Sequence, residues 1–285
     1  MKIHASAKYT LFSFLGLLII LQNSLCDTKN RTYRIKSNEE FILENDSNLY
    51  YLKPELGEYS NYIFDGDRFE RQIKYRVVGL NKNTINAKEF LKENYLGTHL
   101  FLTKNINKEF ITSSNVLYDY NGSIIQLIIR TDDSYTGYLT ELFNTPFIWI
   151  PKSFNKMHQT DYCIGSDCIS FVIYGKRRQN KNINYMPIDN IYNYTTDLFR
   201  EKFTEKNGIY LTKNNTPVST KNIKKDDLIL FGPHIAVFYQ DTGIIGVLDK
   251  DDLLIHSIGN GAHISTIEES HYYNYPIRVL RWNKF

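Results

Sequence analysis

The strongest constraint on this chain is a short apolar helix that is predicted to begin near a cysteine and to be followed by two strands with histidines. Residues 166–173 predict that helix because their apolar side chains fall on one face. Ser166 is the expected cap, which puts Cys168 in the first turn, and Gly175 with the three cations after it predicts the helix end. A helix N-terminus favours the thiolate, which is the nucleophilic form of cysteine.

The two histidines lie on the strands predicted after this helix. Residues 225–239 read as a strand, a Gly-Pro break and a second strand that begins at His234. Residues 253–257 form another apolar run that carries His256, and antiparallel pairing of this run with the strand after His234 would make the two histidines neighbours. A nucleophilic thiol needs a base and a group that orients the base. The order Cys168, His234, His256 therefore favours a cysteine-nucleophile enzyme.

Each member of this set also has a purely structural interpretation. A lone cysteine on an apolar helix face is usually a small core residue. The alternatives for the two histidines are an ordinary strand residue for His234 and a partner of a turn for His256. The chain also offers His158, His263 and His271. Of these, His263 is the best substitute for His256 because it begins the strand predicted after the Gly-Asn-Gly turn.

Four stretches match the motifs of one family in the order that the family has them: Asp167–Phe171, Asp227–Phe231, His234–Phe238 and Leu254–Ser257. They resemble motifs of the NlpC family of papain-like peptidoglycan endopeptidases, and the resemblance covers about residues 134 to 281. It implies an α+β fold in which the helix bearing the cysteine packs on an antiparallel sheet. It also implies hydrolysis of an amide bond in peptidoglycan stem peptides, with Cys168 as nucleophile, His234 as base and His256 as the residue that orients the base.

The resemblance implies substrate-binding residues as well. The segment before the helix is similar to a substrate-binding segment of the family, so Phe147 and Trp149 are expected to bind substrate. The family has a tyrosine at the position of Phe147, and without its hydroxyl the identity of the cleaved bond stays open. Asp167 is expected to contact the substrate amine. Gln159 is expected to donate into an oxyanion hole together with the backbone N–H of Cys168.

The first 26 residues predict export. Residues 1–26 carry two lysines, an apolar run over about residues 11 to 21 and a small-residue end, which is the pattern of a signal peptide. The run is shorter than the about 20 residues that a membrane span needs. Lipoprotein anchoring at Cys26 is disfavoured because Leu25 is too bulky for that signal. Cleavage after Cys26 is expected, with the product secreted or held in the periplasm or cell envelope.

Charge and cysteine content limit the partners. Removal of residues 1–26 takes away two lysines and no acid, so the net charge falls from +3 to +1. Without a basic block, no nucleic-acid partner is predicted.

After removal of residues 1–26, the chain keeps two cysteines, Cys163 and Cys168. A disulfide between them would silence the nucleophile, so local geometry is expected to keep them apart, and a reversible switch is the alternative. No metal and no cofactor are predicted, since two cysteines and scattered histidines are not a zinc set.

Length favours two domains after the signal peptide, because the remaining chain exceeds one typical domain of about 100–200 residues. Residues 27–130 predict a small β-rich domain, a barrel or a sandwich, with one helix at Ala87–Tyr95. Residues 131–285 predict the NlpC-like domain, which starts with a helix from about Ser134 to Phe143. A lysine- and asparagine-rich insertion over about residues 179 to 222 would form a lid or a surface decoration.

Two other functions fit the same residues. A papain-like acyltransferase, or a hydrolase of lipid esters or amides, would show a greasy rather than a polar groove beside Cys168. A non-catalytic wall-binding protein would show a blocked thiol. The expected partner in the first interpretation is a peptidoglycan peptide, and the sequence does not fix an oligomeric state.

Overall fold

The computed structural model describes residues 31–56, 74–113, 115–120, 122–154 and 157–284. These residues form an α+β fold that is rich in sheet and has few helices, built around two six-stranded sheets. The predicted signal peptide lies outside the described residues. No helix in the described ranges is long and apolar enough to cross a membrane.

The N-terminal sheet is open and mixed. The strands of this region are Arg31–Lys36 (β1), Ile42–Glu44 (β2), Tyr50–Pro54 (β3), Lys74–Gly79 (β4), Thr84–Asn86 (β5), Gly97–Leu102 (β6), Phe110–Thr112 (β7) and Ile124–Arg130 (β8). The sheet order is β1-β8-β6-β3-β4-β7, with only β1 and β8 parallel, and β2 pairs separately with β5. Among the described residues the strands thus close no barrel. The expected helix spans Ala87–Glu93 (α1), and a π-helical turn covers Asn115–Asp119.

Both faces of the N-terminal sheet are covered, which explains why every residue of β6 is buried. One face packs against α1 through Phe90. The other face packs against Ile148 and Ile164, which belong to the segment between β8 and the cysteine-bearing helix. The N-terminal sheet therefore supports the segment that leads into Cys168.

The C-terminal sheet is antiparallel. Its region begins with Tyr135–Leu139 (α2), which continues as a 3₁₀ turn over Thr140–Leu142, and contains the helix Cys168–Arg178 (α3). The strands are Ser153–Phe154 (β9), Met157–His158 (β10), Thr195–Asp197 (β11), Thr204–Lys206 (β12), Ile209–Leu211 (β13), Leu228–Leu230 (β14), Ile235–Gln240 (β15), Leu253–Ile258 (β16), Gly261–Thr266 (β17) and Arg278–Trp282 (β18). The sheet order is β11-β18-β14-β15-β16-β17; β9 pairs with β10, and β12 with β13. Further 3₁₀ turns cover Ile188–Asn193, Thr220–Asn222 and Glu268–Ser270.

Strand alternation gives the C-terminal sheet two apolar faces. One face, which includes Ile235 and Ile255, packs against α3. The opposite face, which includes Ala236, packs against Phe203 and Tyr210. These last two residues lie in the segment 179–222, which also supplies the edge strand β11. The segment predicted as a lid or a decoration is therefore part of the core, because its few apolar residues cover a sheet face that would otherwise meet water.

Helix α3 differs from its prediction at the N-terminal end and agrees with it at the C-terminal end. The N-cap is Asp167 rather than Ser166, because the Asp167 carboxylate accepts a hydrogen bond from the N–H of Ser170 at 2.7 Å. The helix ends at Arg178, so Gly175 and the three cations lie in its last turn, as the sequence predicts. A Cβ at Gly175 would stand 2.6 Å from the ring of Tyr135, so the glycine lets α2 pack closely on α3.

A buried ionic cluster joins the two regions. Glu141 is fully buried, and its carboxylate accepts hydrogen bonds from Arg34 at 2.8 Å, Arg178 at 2.7 Å and Arg130 at 3.5 Å. The hydroxyl of Tyr174 donates to the same carboxylate. Arg34 lies on β1, Arg130 on β8, and Arg178 and Tyr174 on α3, so this cluster fixes the N-terminal sheet against the helix of Cys168.

Candidate active site

Cys168 is the first residue of α3 and lies at the open end of the β15–β16 ladder. The paired register of these strands begins at Val237 and Ile255. The backbone N–H of Ile235, two residues before the paired register, faces the thiol of Cys168 instead. The thiol is buried and sits where two central strands separate.

The thiol is protonated at neutral pH. Burial, helped by the charge of Asp167, raises the pKa of Cys168 to about 12, and the N–H groups of Ile235, Ile169 and Cys168 offset only part of this effect. The position at a helix N-terminus predicts a lowered thiol pKa, and desolvation outweighs it here. A thiol in this state can act as a nucleophile only if a base takes its proton.

His234 and His256 are in direct contact. The Nε2 of His234 lies 2.9 Å from the Nδ1 of His256, and both rings are buried. Burial, with the charge of His263 as a smaller cause, lowers the pKa of His234 to about 3. Burial and the neighbouring histidines also lower the pKa of His256 well below its usual value. Both rings are therefore neutral at pH 7. The predicted antiparallel pairing of their strands is present.

The hydrogen bond to His256 leaves Nδ1 as the remaining ring nitrogen of His234. By strand alternation, His234 and Ala236 face away from α3, whereas Ile235 faces α3 and the thiol. In the described part of the chain no hydrogen bond joins Sγ of Cys168 to the His234 ring. Direct proton transfer requires the thiol or the ring to turn toward the other, as catalytic pairs do when substrate enters a free site.

Ser265 completes the histidine pair and was missed by the sequence reasoning. The Nε2 of His256 lies 2.9 Å from Oγ of Ser265, and that hydroxyl donates to the carbonyl of Thr266 at 3.0 Å. The sequence feature that could have revealed Ser265 is the turn after β16, because this turn sets the pairing of β16 with β17. In that pairing His263 stands directly opposite His256, and Ser265 lies two residues farther along the same face. His263 itself turns its Nδ1 to the carbonyl of Gly261 and is not the partner of His234.

An aromatic wall borders the His234 ring. The ring of Tyr272 stacks on it with centroids 4.8 Å apart and an interplanar angle of 12°. Phe231 lies on the same side at 5.9 Å, and the half-exposed Tyr275 lies 5.7 Å from Tyr272. The sequence reasoning assigned these aromatic residues no role, since tyrosine is abundant throughout the chain.

The predicted substrate-binding residues Phe147, Trp149 and Asp167 lie near the start of α3. Phe147 forms a parallel bridge with Ser166, and its ring is 6.2 Å from that of Trp149. Trp149 is 55% exposed. One carboxylate oxygen of Asp167 is engaged by the N–H of Ser170, so this residue has a capping role before any substrate binds.

Gln159 is buried, and its side-chain carbonyl accepts a hydrogen bond from the N–H of Lys152 at 2.8 Å. Its Nε2 is a buried donor without a partner. No hydrogen bond connects it to Cys168 among the described residues, so its part in an oxyanion hole stays a prediction. His158, another candidate histidine, stacks on Tyr185 at 3.7 Å and belongs to a different part of the structure.

The two remaining cysteines are both free. Cys163 is buried beside the Glu141 cluster, where its Sγ lies 3.1 Å from the hydroxyl of Tyr174 and 3.9 Å from Arg34. Cys168 faces the end of β15 instead. The structure therefore gives the two thiols different surroundings rather than a disulfide.

No group of three or more histidine, cysteine, aspartate or glutamate residues within the described ranges is arranged to hold a metal ion. Comparison of the chain with protein-family models, with curated proteins and with solved structures found no match. The site is therefore interpreted from its own geometry and from the four sequence motifs.

Proposed function

We propose that this protein is a secreted cysteine peptidase of papain-like, NlpC type that hydrolyses an amide bond in peptidoglycan stem peptides. Cys168 is the nucleophile, His234 the base and His256 the residue that orients the base. The observation that carries the proposal is the 2.9 Å contact between two buried, neutral histidines at the strand end where the thiol lies. A base held by a second polar side chain beside a nucleophile is the arrangement that acyl transfer to a thiol requires.

The first half of the reaction starts from a neutral thiol and a neutral imidazole. When the substrate carbonyl reaches Cys168, the S–H proton moves to Nδ1 of His234 and the sulfur attacks the carbonyl carbon. The backbone N–H groups of the first turn of α3 are donors for the oxyanion that forms. The imidazolium then gives its proton to the amine as the C–N bond breaks, which leaves a thioester on Cys168.

The second half releases the acyl group. A water molecule gives a proton to His234 and attacks the thioester carbon, and the departing sulfur takes the proton back from the ring. The free acid and the original thiol result. His256 holds Nε2 of His234 in both halves, so Nδ1 stays the nitrogen that is available for the proton once the thiol and the ring have turned toward each other.

The substrate class rests on sequence. The four matched motifs and the predicted export of the chain both favour a cell-wall peptide, and exposed Trp149 with Phe147 behind it offers a surface beside the nucleophile. Phe147 provides no hydroxyl for a substrate amine, so Asp167 is the remaining candidate for that contact.

The test uses the chain from residue 27 onward, its Cys168→Ala variant and, as a matched control, Cys163→Ala. Each protein is incubated with peptidoglycan digests, and mass spectrometry reads new amino termini. We expect cleavage by the parent chain and by Cys163→Ala, and a loss on the order of 10⁴ or more in Cys168→Ala. Equal cleavage by Cys168→Ala, or no cleavage by any of the three, refutes the peptidase proposal.

A specific observation favours a second candidate, the hydrolysis or transfer of a long acyl chain. Trp149 and Ile150 are adjacent and both more than half exposed. Ile150 has φ 54, a left-handed conformation that is strained for a β-branched residue, and such strain is often found at ligand-binding and active sites. These two exposed apolar side chains, which follow Phe147 closely in the sequence, would favour a substrate with a long acyl chain.

The two candidates differ in their response to chain length. An acyl hydrolase releases fatty acid from N-acyl or ester substrates in a Cys168-dependent reaction whose KM falls as the chain grows, and Trp149→Ser raises KM for long chains only. A peptidase leaves such substrates intact and cleaves stem peptides. Rates measured on both substrate series with the same protein preparation decide between them.

A further inference from the structure

We infer that Ser265 is a positioning residue of the proposed reaction: its hydroxyl, fixed by the Thr266 carbonyl, sets the tautomer of His256 and through it the tautomer of His234. The inference deepens the proposed function and rests on it for its catalytic meaning. Its structural content, the position of two ring protons, stands on three hydrogen bonds, two between buried side chains and one from the Ser265 hydroxyl to the part-buried carbonyl of Thr266.

The donor and acceptor of each hydrogen bond can be assigned starting from the Thr266 carbonyl, which can only accept. The single hydroxyl proton of Ser265 points to it over 3.0 Å. The Oγ therefore has no proton for His256, which lies 2.9 Å away on its other side. The Nε2 of His256 must carry a proton and donate it to Oγ.

The same logic then fixes the second ring. A neutral imidazole has one N–H, and the buried His256 uses it on Ser265, so its Nδ1 is an acceptor. The Nε2 of His234, at 2.9 Å, must donate to that Nδ1. The neutral His234 ring is left with an unshared pair on Nδ1, the nitrogen assigned as the base. Without the hydroxyl of Ser265, His256 could invert and offer an N–H to His234, which would put a proton on the catalytic nitrogen.

The other polar groups around the pair do not supply this control. His263, on the strand opposite His256, directs its Nδ1 to the carbonyl of Gly261. His271 interacts with His256 through its charge, and no hydrogen bond between them occurs in the described residues. Ser265 is the described side chain that bonds His256 from the side away from His234.

The test compares Ser265→Ala with the conservative Ser265→Thr, which keeps the hydroxyl. Thr140→Val is the matched control, because the buried Thr140 hydroxyl also accepts one hydrogen bond, from the N–H of Thr131, and donates one to a backbone carbonyl, that of Gly137. Proteins labelled with ¹⁵N in histidine are studied by long-range proton–nitrogen NMR spectra, which distinguish the two tautomers of each ring.

In the parent chain and in Thr140→Val we expect an Nε2–H tautomer for both His234 and His256. In Ser265→Ala we expect a mixture of tautomers at His256, and in Ser265→Thr a return to the parent pattern. An Nδ1–H tautomer of His256 in the parent chain overturns the inference even if Ser265→Ala does not fold. An unchanged pattern in a folded Ser265→Ala protein overturns it as well.

Kinetics give the second measurement. We expect Ser265→Ala to lower kcat about ten-fold with KM unchanged, whereas Thr140→Val keeps the parent kcat in its folded fraction. An equal fall in kcat in both variants would reduce Ser265 to a structural role. If the parent chain cleaves no substrate, only the proposed function fails, because the NMR spectra still decide where the ring protons lie.

Discussion

Both sheets bury histidine, and His99 of the N-terminal sheet differs from His234 of the C-terminal sheet in how its ring nitrogens are used. In the N-terminal sheet, Nε2 of His99 donates to the carbonyl of Tyr95 at 2.9 Å, and Nδ1 accepts from the hydroxyl of Tyr51 at 3.1 Å. In the C-terminal sheet, Nε2 of His234 is bonded to His256, whereas its Nδ1 has no hydrogen-bond partner in the described part of the chain. Both ring nitrogens of His99 are thus hydrogen-bonded, whereas His234 keeps one ring nitrogen that can accept a proton.

Burial does not distinguish the two. It lowers the pKa of His99 to about 4 and that of His234 to about 3, so both are neutral at pH 7. The two histidines therefore differ in how fully their ring nitrogens are hydrogen-bonded rather than in charge. A search for perturbed pKa values alone would rank both rings equally.

The largest expected difference is in activity. His234→Gln removes the base and is expected to lower kcat/KM by about 10²–10⁴, whereas His99→Gln leaves kcat/KM of the folded protein unchanged. Steady-state kinetics on the substrate found for the parent chain measure both variants. Similar losses of kcat/KM in the two variants would show that the free ring nitrogen of His234 has no special role.

The next expected result concerns the reactivity of the Cys168 thiol. Because the pKa of Cys168 is raised to about 12, its alkylation rate should keep rising about ten-fold per pH unit from neutral pH through at least pH 9. The Cys163→Ala chain removes the other thiol from the assay, and mass spectrometry identifies the alkylated residue. A plateau near neutral pH would reveal a preformed thiolate–imidazolium pair and contradict a neutral resting state.

A smaller effect is expected on the free energy of unfolding when His99 is replaced. His99→Leu leaves the hydroxyl of Tyr51 without its acceptor inside the sheet, and a buried group left unsatisfied costs about 1–3 kcal/mol of unfolding free energy. Urea unfolding measures the loss. His99→Gln, whose amide can still pair, should lose less than His99→Leu; the opposite order would mean that packing rather than hydrogen bonding decides.

The smallest difference is in acid sensitivity, where the two rings should act alike. Their folded pKa values lie below the usual value of about 6.5, so the unfolded chain binds more protons and stability falls as pH drops below that value. Each ring contributes at most about 1.4 kcal/mol per pH unit until its folded pKa is reached. His99→Gln should therefore show a shallower loss of unfolding free energy between about pH 6.5 and pH 5, and an unchanged slope would refute neutral burial of His99.

The local pattern of the sequence was enough to predict the strands that carry the histidines. Alternating apolar residues and the Gly-Pro break predict β14 and β15, and the run before the Gly-Asn-Gly turn predicts β16, all of which are present. These features are local, since hydrophobic periodicity and turn residues act over a few positions. The choice of Asp167 over Ser166 as N-cap was missed because both residue types cap helices equally well.

What the sequence could not predict depends on contacts between distant segments. The raised pKa of Cys168 comes from burial against β15, the role of Ser265 from the register of β17, and the burial of Phe203 from a sheet face that only the assembled fold creates. Polar residues bonded across strands, such as His99, carry no periodic signal either. The chemical role of each of these residues can therefore be inferred only once the tertiary structure is known.

The parallel pairing of β1 with β8 has a consequence for the order in which the chain folds. Thr32 stands opposite Gln126, so the edge strand nearest the predicted cleavage site waits for a partner 94 residues later in the chain. A chain that is exported N-terminus first presents β1 at once and can pair it only after β8 has emerged. Such long-range pairing closes a large loop and slows folding. If the chain is exported as predicted, β1, the first of the described strands, would be among the last strands to gain its partner.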